Sequence, residues 1–244
     1  MIYMEIIHHK KPDLKLPEFS VDGILHKKLD EYEITKLLNR HTFTMYLGRA
    51  GSGKSSLMTS LLQTPELFKK VYTHIHYICP PNSRASMKNN VFEKELPPDK
   101  IYDDLKTGTL EGIYGRCMAA AELSENNLII IDDCQAQLKN ADVQKQLLHI
   151  VSNRRHARTS IWLLAQNYLL TPKQVRMALT DIFAFKVSKP EMVNLFEEVF
   201  ENKDKFEAIV KLAWKKSHDF VFIDTGSQRI FLNWSEVIFS CDNI

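Results

Sequence analysis

The sequence predicts an α/β fold with a mostly parallel central sheet, flanking helices and a C-terminal β-hairpin. Three observations lead to this prediction: strand-like apolar runs alternate with helical patterns, a glycine-rich loop separates one strand from a helix, and another strand ends in two carboxylates. Such alternation favours parallel strands joined by crossover helices. The predicted strands of the sheet cover residues 42–47, 71–79, 128–132, 160–165 and 181–187.

The composition limits the class of protein. The chain has 244 residues, of which 44% are hydrophobic and 25% charged, a balance typical of soluble globular proteins. The longest apolar runs have the length of a strand, so no transmembrane helix is expected. The net charge of +2 does not indicate nucleic-acid binding, and any contact with DNA would need a local basic surface.

The N-terminus and the cysteines indicate an intracellular protein with reduced thiols. The first residues lack the charged start, apolar core and small-residue cleavage site of a secretory signal. The cysteines are widely separated, so they match neither a zinc site nor a disulfide scaffold. They are Cys79, Cys117, Cys134 and Cys241.

The chain is predicted to comprise an N-terminal extension, residues 1–40, and one α/β domain, residues 41–244. The extension has a strand-like start and a predicted helix at about residues 25–38. Within the domain, the segment 80–125 is polar and interrupted by Pro and Gly, which predicts loops with short helices. The remaining predicted elements are helices over 190–200 and 205–215, and a hairpin of strands 219–223 and 229–234 around the turn 224–228.

A glycine-rich loop after the first strand of the domain fits the Walker A pattern G-x-x-x-x-G-K-[ST]. A glycine turn can match this pattern by accident, but a strand before it and a helix after it favour nucleotide binding. Lys54 would contact the β and γ phosphates, and the Ser55 hydroxyl would hold Mg²⁺. The predicted nucleotide-binding residues are Gly48, Arg49, Ala50, Gly51, Ser52, Gly53, Lys54, Ser55 and Ser56.

Two adjacent carboxylates follow the buried strand at 128–132 and resemble a Walker B motif. Because ligands of open α/β folds gather at the carboxyl ends of the strands, Asp132 is predicted to hold Mg²⁺. Asp133 is predicted to orient or activate the attacking water, although a helix N-cap is the alternative role for such an acid.

Three arginines lie at the end of a predicted helix with the buried face Val143, Leu147, Ile150 and Val151. Arg155 is the first candidate for an arginine that reaches a γ phosphate in a neighbouring subunit, ahead of Arg154 and Arg158. The alternative is that these arginines only complement the negative end of the helix dipole. Arg176 is a further candidate.

Gln166 follows the strand 160–165, where an amide can sense the γ phosphate or simply end the strand. This strand comes directly after the Walker-B-like strand in the sequence. The arrangement suits P-loop NTPases that insert an additional strand between their two nucleotide-binding strands, and it makes Gln166 a sensor candidate.

Taken in order, these motifs resemble those of the DNA-packaging ATPases of large double-stranded DNA viruses and virophages, the poxvirus-like branch of the FtsK-HerA superfamily. The resemblance covers roughly residues 41–187. It rests on residues 48–55, residues 129–133, Asn153-Arg154-Arg155-His156 followed by Ser160, and Gln166 with Pro172 and Arg176.

The resemblance implies an ATPase that uses ATP and Mg²⁺, assembles as a homo-oligomeric ring and translocates double-stranded DNA into a preformed capsid. Its implied partners are DNA, bound without sequence preference, and capsid or portal vertex proteins, with no membrane insertion. The implied location is the host cytoplasm at sites of virion assembly, or the virion. Lys54, Asp133 and Gln166 carry over as catalytic residues, with one of the three clustered arginines acting in trans.

Contact with DNA would need lysines in the irregular segment or after the second motif, although each of these lysines could equally be a solvated surface residue. The candidates are Lys88, Lys94, Lys100, Lys106 and Lys139.

Two other functions remain open: a P-loop kinase or transferase, with the segment 80–125 as a substrate lid, and a nucleotide-switched scaffold without hydrolytic turnover. The three tryptophans, Trp162, Trp214 and Trp234, are predicted to be core residues.

Overall fold

The computed structural model describes residues 2–7, 37–87, 90–200 and 209–241. The strands are β1 (Ile2–Ile7), β2 (Phe43–Leu47), β3 (His74–Ile78), β4 (Ile101–Tyr102), β5 (Asn127–Asp132), β6 (Thr159–Ala165), β7 (Asp181–Phe185), β8 (Phe220–Asp224), β9 (Arg229–Leu232) and β10 (Ser235–Cys241). The helices are α1 (Lys54–Gln63), α2 (Pro81–Ser86), α3 (Val91–Glu95), α4 (Thr107–Glu122), α5 (Ala141–Asn153), α6 (Lys173–Met177) and α7 (Lys189–Val199).

The described residues fall into two compact units, each built from more than one stretch of the chain. The first unit takes its described residues from 1–39, 46–70 and 180–244, and the second from 40–45 and 71–179. The glycine-rich loop belongs to the first unit, whereas β5 and β6 belong to the second. The predicted boundary between an extension and a domain at residue 40 stays a prediction.

The second unit contains parallel strands in the order β6-β5-β3-β4. Ile78 of β3 is level with Ile131 of β5, and Ile131 is level with Leu163 of β6, so the carboxyl ends of the three strands meet at one edge. On the other side of β6, Ile161 N donates to Thr42 O at 2.8 Å, just before β2. The strand β6 therefore lies between β5 and the start of β2, which confirms the additional strand.

Two helices flank these parallel strands and pack against each other. Helix α5 begins at a cap in which Asn140 Oδ1 accepts hydrogen bonds from Asp142 N and Val143 N. Its buried face is the predicted one: Val143, Leu147, Ile150 and Val151. Helix α4 buries Leu110, Ile113, Cys117 and Ala120 and contacts α5. The predicted α/β fold, with a mostly parallel central sheet and flanking helices, is confirmed.

The first unit contains antiparallel strands in the order β1-β10-β9-β8-β7. The predicted hairpin is confirmed as β8 and β9, and two strands extend it that were not expected there. The segment predicted as one strand at 229–234 turns at Asn233, which has φ +55°, and β10 returns alongside β9. An aromatic cluster centred on Phe183 forms the core: its ring stacks on Tyr46 and contacts Phe220 and Phe222.

The prediction for the segment 80–125 was wrong in one respect, because it contains the 16-residue helix α4. The glycines at 108, 112 and 115 suggested breaks, but a Cβ at any of these positions would meet no atom within 4 Å. The helical spacing of the buried residues of α4 outweighs the poor helix propensity of glycine. None of the helices that the structure describes is long and apolar enough to cross a membrane.

Two predicted helices are only partly testable. The one at 25–38 lies outside the described residues except at its end. The one at 205–215 is described from residue 209 and is helical only to residue 212, since Trp214 takes a positive φ of +56°. The three tryptophans are buried as predicted, with Trp162 1% exposed, Trp214 8% and Trp234 5%.

Candidate functional site

The glycine-rich loop of the first unit connects β2 to α1, and Gly48 and Gly53 show why glycine is needed in it. A Cβ on Gly48 would lie 2.6 Å from Ser52 Oγ and 2.7 Å from Phe185 Cβ, which leaves no room for a side chain. Gly53 has φ +105° and precedes the first residue of α1. The backbone can therefore turn tightly into the helix, which brings the loop to the positive end of the helix dipole.

Lys54 is buried and its ammonium group lies on the loop itself. Nζ donates to Gly48 O at 2.6 Å and to Arg49 O at 2.9 Å. The next two residues, Ser55 and Ser56, are exposed in the first turn of α1. The loop thus combines a held cation, exposed hydroxyl groups and a helix N-terminus, which together suit an anionic phosphate.

In the second unit, Asp132 is the last residue of β5 and is 7% exposed. The Tyr77 hydroxyl donates to Asp132 Oδ2 at 3.4 Å. Burial, and then the negative charge of Asp132, raises the pKa of the Tyr77 phenol, so the phenol stays protonated and remains a donor. Ligands of open α/β folds bind at the carboxyl ends of the parallel strands, and the buried Asp132 carboxylate lies at such an end.

Asp133 is exposed, and both of its carboxylate oxygens accept hydrogen bonds. Ser83 Oγ donates to Oδ2 at 2.5 Å, and Gln166 Nε2 donates to Oδ1 at 3.1 Å. The residue has φ +55°, so the chain leaves β5 in a left-handed conformation that costs free energy in any residue but glycine. The structure thus brings together the two predicted residues Asp133 and Gln166.

Gln135 holds the end of β6 beside the end of β5. Its Oε1 accepts from Gln166 N at 2.9 Å and Asn167 N at 3.2 Å. Its Nε2 donates to Asn167 O at 2.6 Å and Thr171 Oγ1 at 3.0 Å. These bonds satisfy backbone groups after β6 and so fix where the Gln166 side chain begins.

Sequence reasoning missed Ser83 and Gln135. Ser83 lies on the short helix α2, far from Asp133 in sequence, and no local pattern marks it. Gln135 is close to the carboxylate pair, and its position two residues after Asp133 was the only signal that could have found it.

The predicted arginines lie at the other edge of the second unit, where β6 begins. Since β6 has seven residues, it separates the two edges by about 20 Å. Asp133 and Gln166 of the same unit are therefore out of reach of these arginines. Arg154 donates from Nε to His41 O at 2.7 Å and from Nη1 to Val151 O at 2.8 Å, which ties it to the local backbone.

Arg155 and Arg158 differ from Arg154 in their surroundings. Arg155 is exposed. Arg158 has φ +45°, and its Nε is buried without a hydrogen-bond partner in the part of the chain that the structure describes. The further candidate Arg176 donates to Thr171 O at 2.5 Å and lies 4.8 Å from the centre of the Tyr168 ring.

Among the candidate DNA-contacting lysines, Lys88 lies outside the described residues. Lys106 pairs with Asp104 at 2.5 Å, and hydrogen bonding to that carboxylate raises the pKa of Lys106. Lys94 and Lys139 are exposed, and Lys100 is half-buried at the end of a short 3₁₀ turn. Within the described residues, no group of three or more His, Cys, Asp or Glu side chains is arranged to hold a metal ion.

Comparison with known sequences gives a family match over most of the chain. The model of the family described as poxvirus A32 protein matches residues 30–223. An uncharacterized protein of Acanthamoeba polyphaga mimivirus is 23% identical over an alignment of 199 residues that covers 75% of this chain and 66% of the mimivirus protein. The chain therefore spans slightly less than two thirds of that relative.

Comparison with solved structures supports the fold. B204, the DNA-packaging ATPase from Sulfolobus turreted icosahedral virus, is 18% identical with a TM-score of 0.59, over 80% of this chain and 97% of B204. The genome-packaging NTPase B204 from Sulfolobus turreted icosahedral virus 2, solved with ATP-γS, is 17% identical with a TM-score of 0.59 over the same shares. At these identities the likeness establishes a common fold.

Proposed function

Because this chain belongs to the poxvirus A32 protein family, we propose that it is an ATP-hydrolysing motor that translocates double-stranded DNA into a preformed capsid. The observation that best supports ATP hydrolysis is the Asp133 carboxylate, which accepts a hydrogen bond from Gln166 at the carboxyl edge of β5 and β6. The packaging part is supported by the family and by the shared fold with viral packaging ATPases.

The nucleotide phosphates bind to the loop of residues 48–56. Their negative charge is stabilised by the N-terminal end of α1 and by the ammonium group of Lys54. Lys54 already lies over the loop carbonyl groups, so it needs only a small change of direction to contact a phosphate oxygen.

Mg²⁺ would be held by the Ser55 hydroxyl and the Asp132 carboxylate. Both donors are oxygens, as this ion prefers, and a site with few protein ligands suits an ion that keeps its waters and binds phosphate. When bound, the ion neutralises charge that develops on the phosphate oxygens. The Tyr77 hydroxyl donates a hydrogen bond to Asp132 Oδ2 and so orients this carboxylate.

Asp133 accepts a proton from the attacking water as the water oxygen forms a bond to the γ phosphorus. The bond between that phosphorus and the oxygen bridging to the β phosphate breaks, ADP and inorganic phosphate leave, and Asp133 then passes the proton to the phosphate product or to solvent. Asp133 must exchange one of its present donors, Ser83 or Gln166, for the water. Gln166 then reports the state of the γ phosphate to β6.

The arginine that completes the site comes from a neighbouring subunit of a homo-oligomeric ring. This is supported by the place of the arginine cluster, at the edge of the second unit away from Asp133. Arg155 is the proposed residue because its side chain is exposed. Duplex DNA is held by exposed lysines through its phosphates, without reading its sequence. Capsid or portal vertex proteins in the host cytoplasm are the proposed partners.

Steady-state release of phosphate from ATP and Mg²⁺, with and without long double-stranded DNA, tests this function. The expected result is hydrolysis that duplex DNA stimulates, that Lys54→Ala abolishes, and that the exposed control Lys145→Ala retains. Phosphate transferred to a small molecule, with little free phosphate, would instead identify a kinase or transferase. Tight ATP binding with a single turnover and no effect of DNA would identify a nucleotide-switched scaffold.

A further inference from the structure

A tight turn of the second unit, residues 154–158, joins α5 to β6 and contains the three clustered arginines. We call this segment the arginine turn. Its backbone is closed by its own hydrogen bonds: Ala157 N donates to Asn153 O at 3.0 Å, and Arg158 N donates to Arg155 O at 3.2 Å. The side chain of Arg155 is exposed. The turn therefore presents an exposed arginine on a compact stretch of backbone.

Asn127, the first residue of β5, holds the arginine turn from one side. Its N donates to Arg158 O at 2.8 Å, and its Nδ2 donates to Ala157 O at 3.1 Å. The same Nδ2 donates to Cys117 O of α4 at 3.2 Å. Asn127 is completely buried, and burying a polar side chain is unfavourable unless hydrogen bonds compensate. The amide therefore connects the turn to both β5 and α4.

His41, two residues before β2, holds the arginine turn from the other side through its backbone. Its O accepts from Arg154 Nε at 2.7 Å, and its N donates to Ser160 Oγ at 2.8 Å. His41 has φ +61°, a left-handed conformation that costs free energy in histidine and persists only where the surrounding structure holds it. The two bonds join this residue to the turn and to β6 at once.

Ser160 is a completely buried hydroxyl in β6. Its Oγ accepts from the Tyr72 hydroxyl at 3.0 Å as well as from His41 N. The Tyr72 ring in turn meets the Trp162 ring edge-on, with 6.0 Å between the ring centres. The proposed mechanism gives Ser160 no role, although this serine follows the arginines in the motif set of the sequence.

A connection between a helix and a strand does not need this many side-chain hydrogen bonds, because the backbone bonds of the arginine turn already close it. The buried side chains of Asn127 and Ser160 fix in addition how the turn is oriented. An exposed arginine that acts at a distant phosphate needs such a rigid base, since a misplacement of about 1 Å can lower a rate by about 10².

We propose that Asn127 and Ser160 are positioning residues for Arg155, and that they direct its guanidinium at the nucleotide of the neighbouring subunit. The proposal rests on the proposed function, in which Arg155 acts across subunits. Both side chains are completely buried, so they act through Arg155 and not on the substrate. A chain whose arginine turn is loosened keeps its own phosphate loop and carboxylates, but it fails to complete the site of its neighbour.

Ser160→Ala and Asn127→Ala should each lower turnover at saturating ATP by about tenfold to a hundredfold. Calorimetric affinity for ATP should stay within about twofold of the wild type, because the phosphate loop is untouched. The matched control is Ser152→Ala, which removes an exposed serine of α5 and should change neither quantity. Circular dichroism and thermal melting establish that each variant of the full chain is folded.

Mixed assemblies distinguish positioning from general damage, because the defect should fall on the neighbouring subunit. Ser160→Ala mixed with Lys54→Ala should regain part of the turnover, since some interfaces then combine an intact Lys54 with a correctly held Arg155. A second measurement adds Ser160→Ala to Arg155→Ala. The serine should have almost no further effect on turnover in this background, because the residue that it positions is gone.

Wild-type turnover in a folded Ser160→Ala variant would overturn the proposal, and so would a loss that recurs in full in the Arg155→Ala background. Recovery in mixtures that contain Arg155→Ala, without recovery in those that contain Ser160→Ala, would overturn the positioning role alone. Recovery in neither mixture would overturn the action of Arg155 across subunits, on which the proposal rests. The same measurements on Asn127→Ala decide the case if Ser160→Ala does not fold.

Discussion

Gln166 Nε2 donates a hydrogen bond to Asp133 Oδ1 at 3.1 Å, and this bond joins the ends of two neighbouring parallel strands. The acid follows β5 and the amide follows β6, so a shift of either strand end would change the bond. Ser83 Oγ donates a hydrogen bond to the other carboxylate oxygen of Asp133, Oδ2. The acid proposed to direct the water is thereby linked to two separate segments that a bound nucleotide could displace.

Asp133→Asn should lower the rate of ATP hydrolysis by about 10² to 10⁴ while nucleotide affinity changes little, because an amide cannot accept the proton that a carboxylate accepts. Rapid-quench measurement of a single turnover, together with calorimetric ATP binding, would show the two effects separately. A variant that hydrolyses ATP at the wild-type rate would remove Asp133 from the proposed mechanism.

Gln166→Ala should slow hydrolysis by about tenfold or more with ATP binding retained, since the amide orients Asp133 and contacts the γ phosphate. Asn167→Ala is the matched control, because the bonds of Asn167 to Gln135 use its backbone N and O. Steady-state turnover at saturating ATP is the measurement. Equal losses in the two variants would point to a general disturbance of the strand end.

Arg155→Ala should lower ATP hydrolysis, whereas Arg154→Ala should lower the stability of the fold. The exposed Arg155 should be dispensable for folding and ATP binding, but its loss should lower ring-dependent hydrolysis by up to about 10³ to 10⁵. Arg154→Ala should instead lower the free energy of unfolding by about 1–3 kcal/mol, because the carbonyl oxygens of His41 and Val151 lose their guanidinium donor.

Thermal melting and turnover as a function of protein concentration distinguish these outcomes. Mixing Arg155→Ala with Lys54→Ala should restore part of the activity if the arginine acts across subunits, since some interfaces then combine an intact Lys54 with an intact Arg155. No recovery in mixed rings would place the functional arginine elsewhere in the chain.

The phosphate loop and the carboxylate pair could be predicted because their signals are local. Residues 48–55 follow a fixed spacing between a strand and a helix, and Asp132 and Asp133 directly follow four apolar residues. The register of β5 and β6 then brings Asp133 near Gln166, as expected for parallel strands. Ser83 could not be found in this way, because only the tertiary fold brings it to Asp133.

Helix α4 shows how a local signal can mislead. Its glycines each cost up to about 1 kcal/mol in a helix relative to alanine, and they led to the prediction of loops. The buried face formed by Leu110, Ile113 and Cys117 was present in the same segment at helical spacing. Packing of that face decides the structure, which composition alone does not reveal.

The buried cysteines should resist alkylation in the folded protein. Burial raises the pKa of the Cys79 thiol to about 12 and that of Cys117 to about 11, so the reactive thiolate is scarce at pH 8. Iodoacetamide labelling followed by peptide mass spectrometry should give rates at these residues at least about 100-fold lower than in denaturant. Comparable rates in the two conditions would show that the strands carrying these residues open readily.

His76 should make the folded protein less stable as the pH falls below about 6.5. Burial first, and then the positive charges of Lys100 and Arg116, lowers the pKa of His76 to about 3. Its Nδ1 lies 3.0 Å from the Tyr102 hydroxyl, which itself accepts from Arg116 and can donate its own proton to the ring. Between about pH 6.5 and pH 3 the unfolded chain therefore binds a proton at this residue that the folded chain does not.

The contribution of His76 is fully present above the unfolded pKa and decreases by about 1.4 kcal/mol for each pH unit below it, until the folded pKa is reached. Urea unfolding of His76→Gln and of the exposed control His149→Gln, at pH 7.5 and pH 5, separates the contribution of His76 to the unfolding free energy from that of the carboxylates. The difference in unfolding free energy between the two pH values should be smaller by about 2 kcal/mol in His76→Gln than in the control. Equal pH dependence in the two variants would mean that the His76 ring takes up a proton while β3 remains folded.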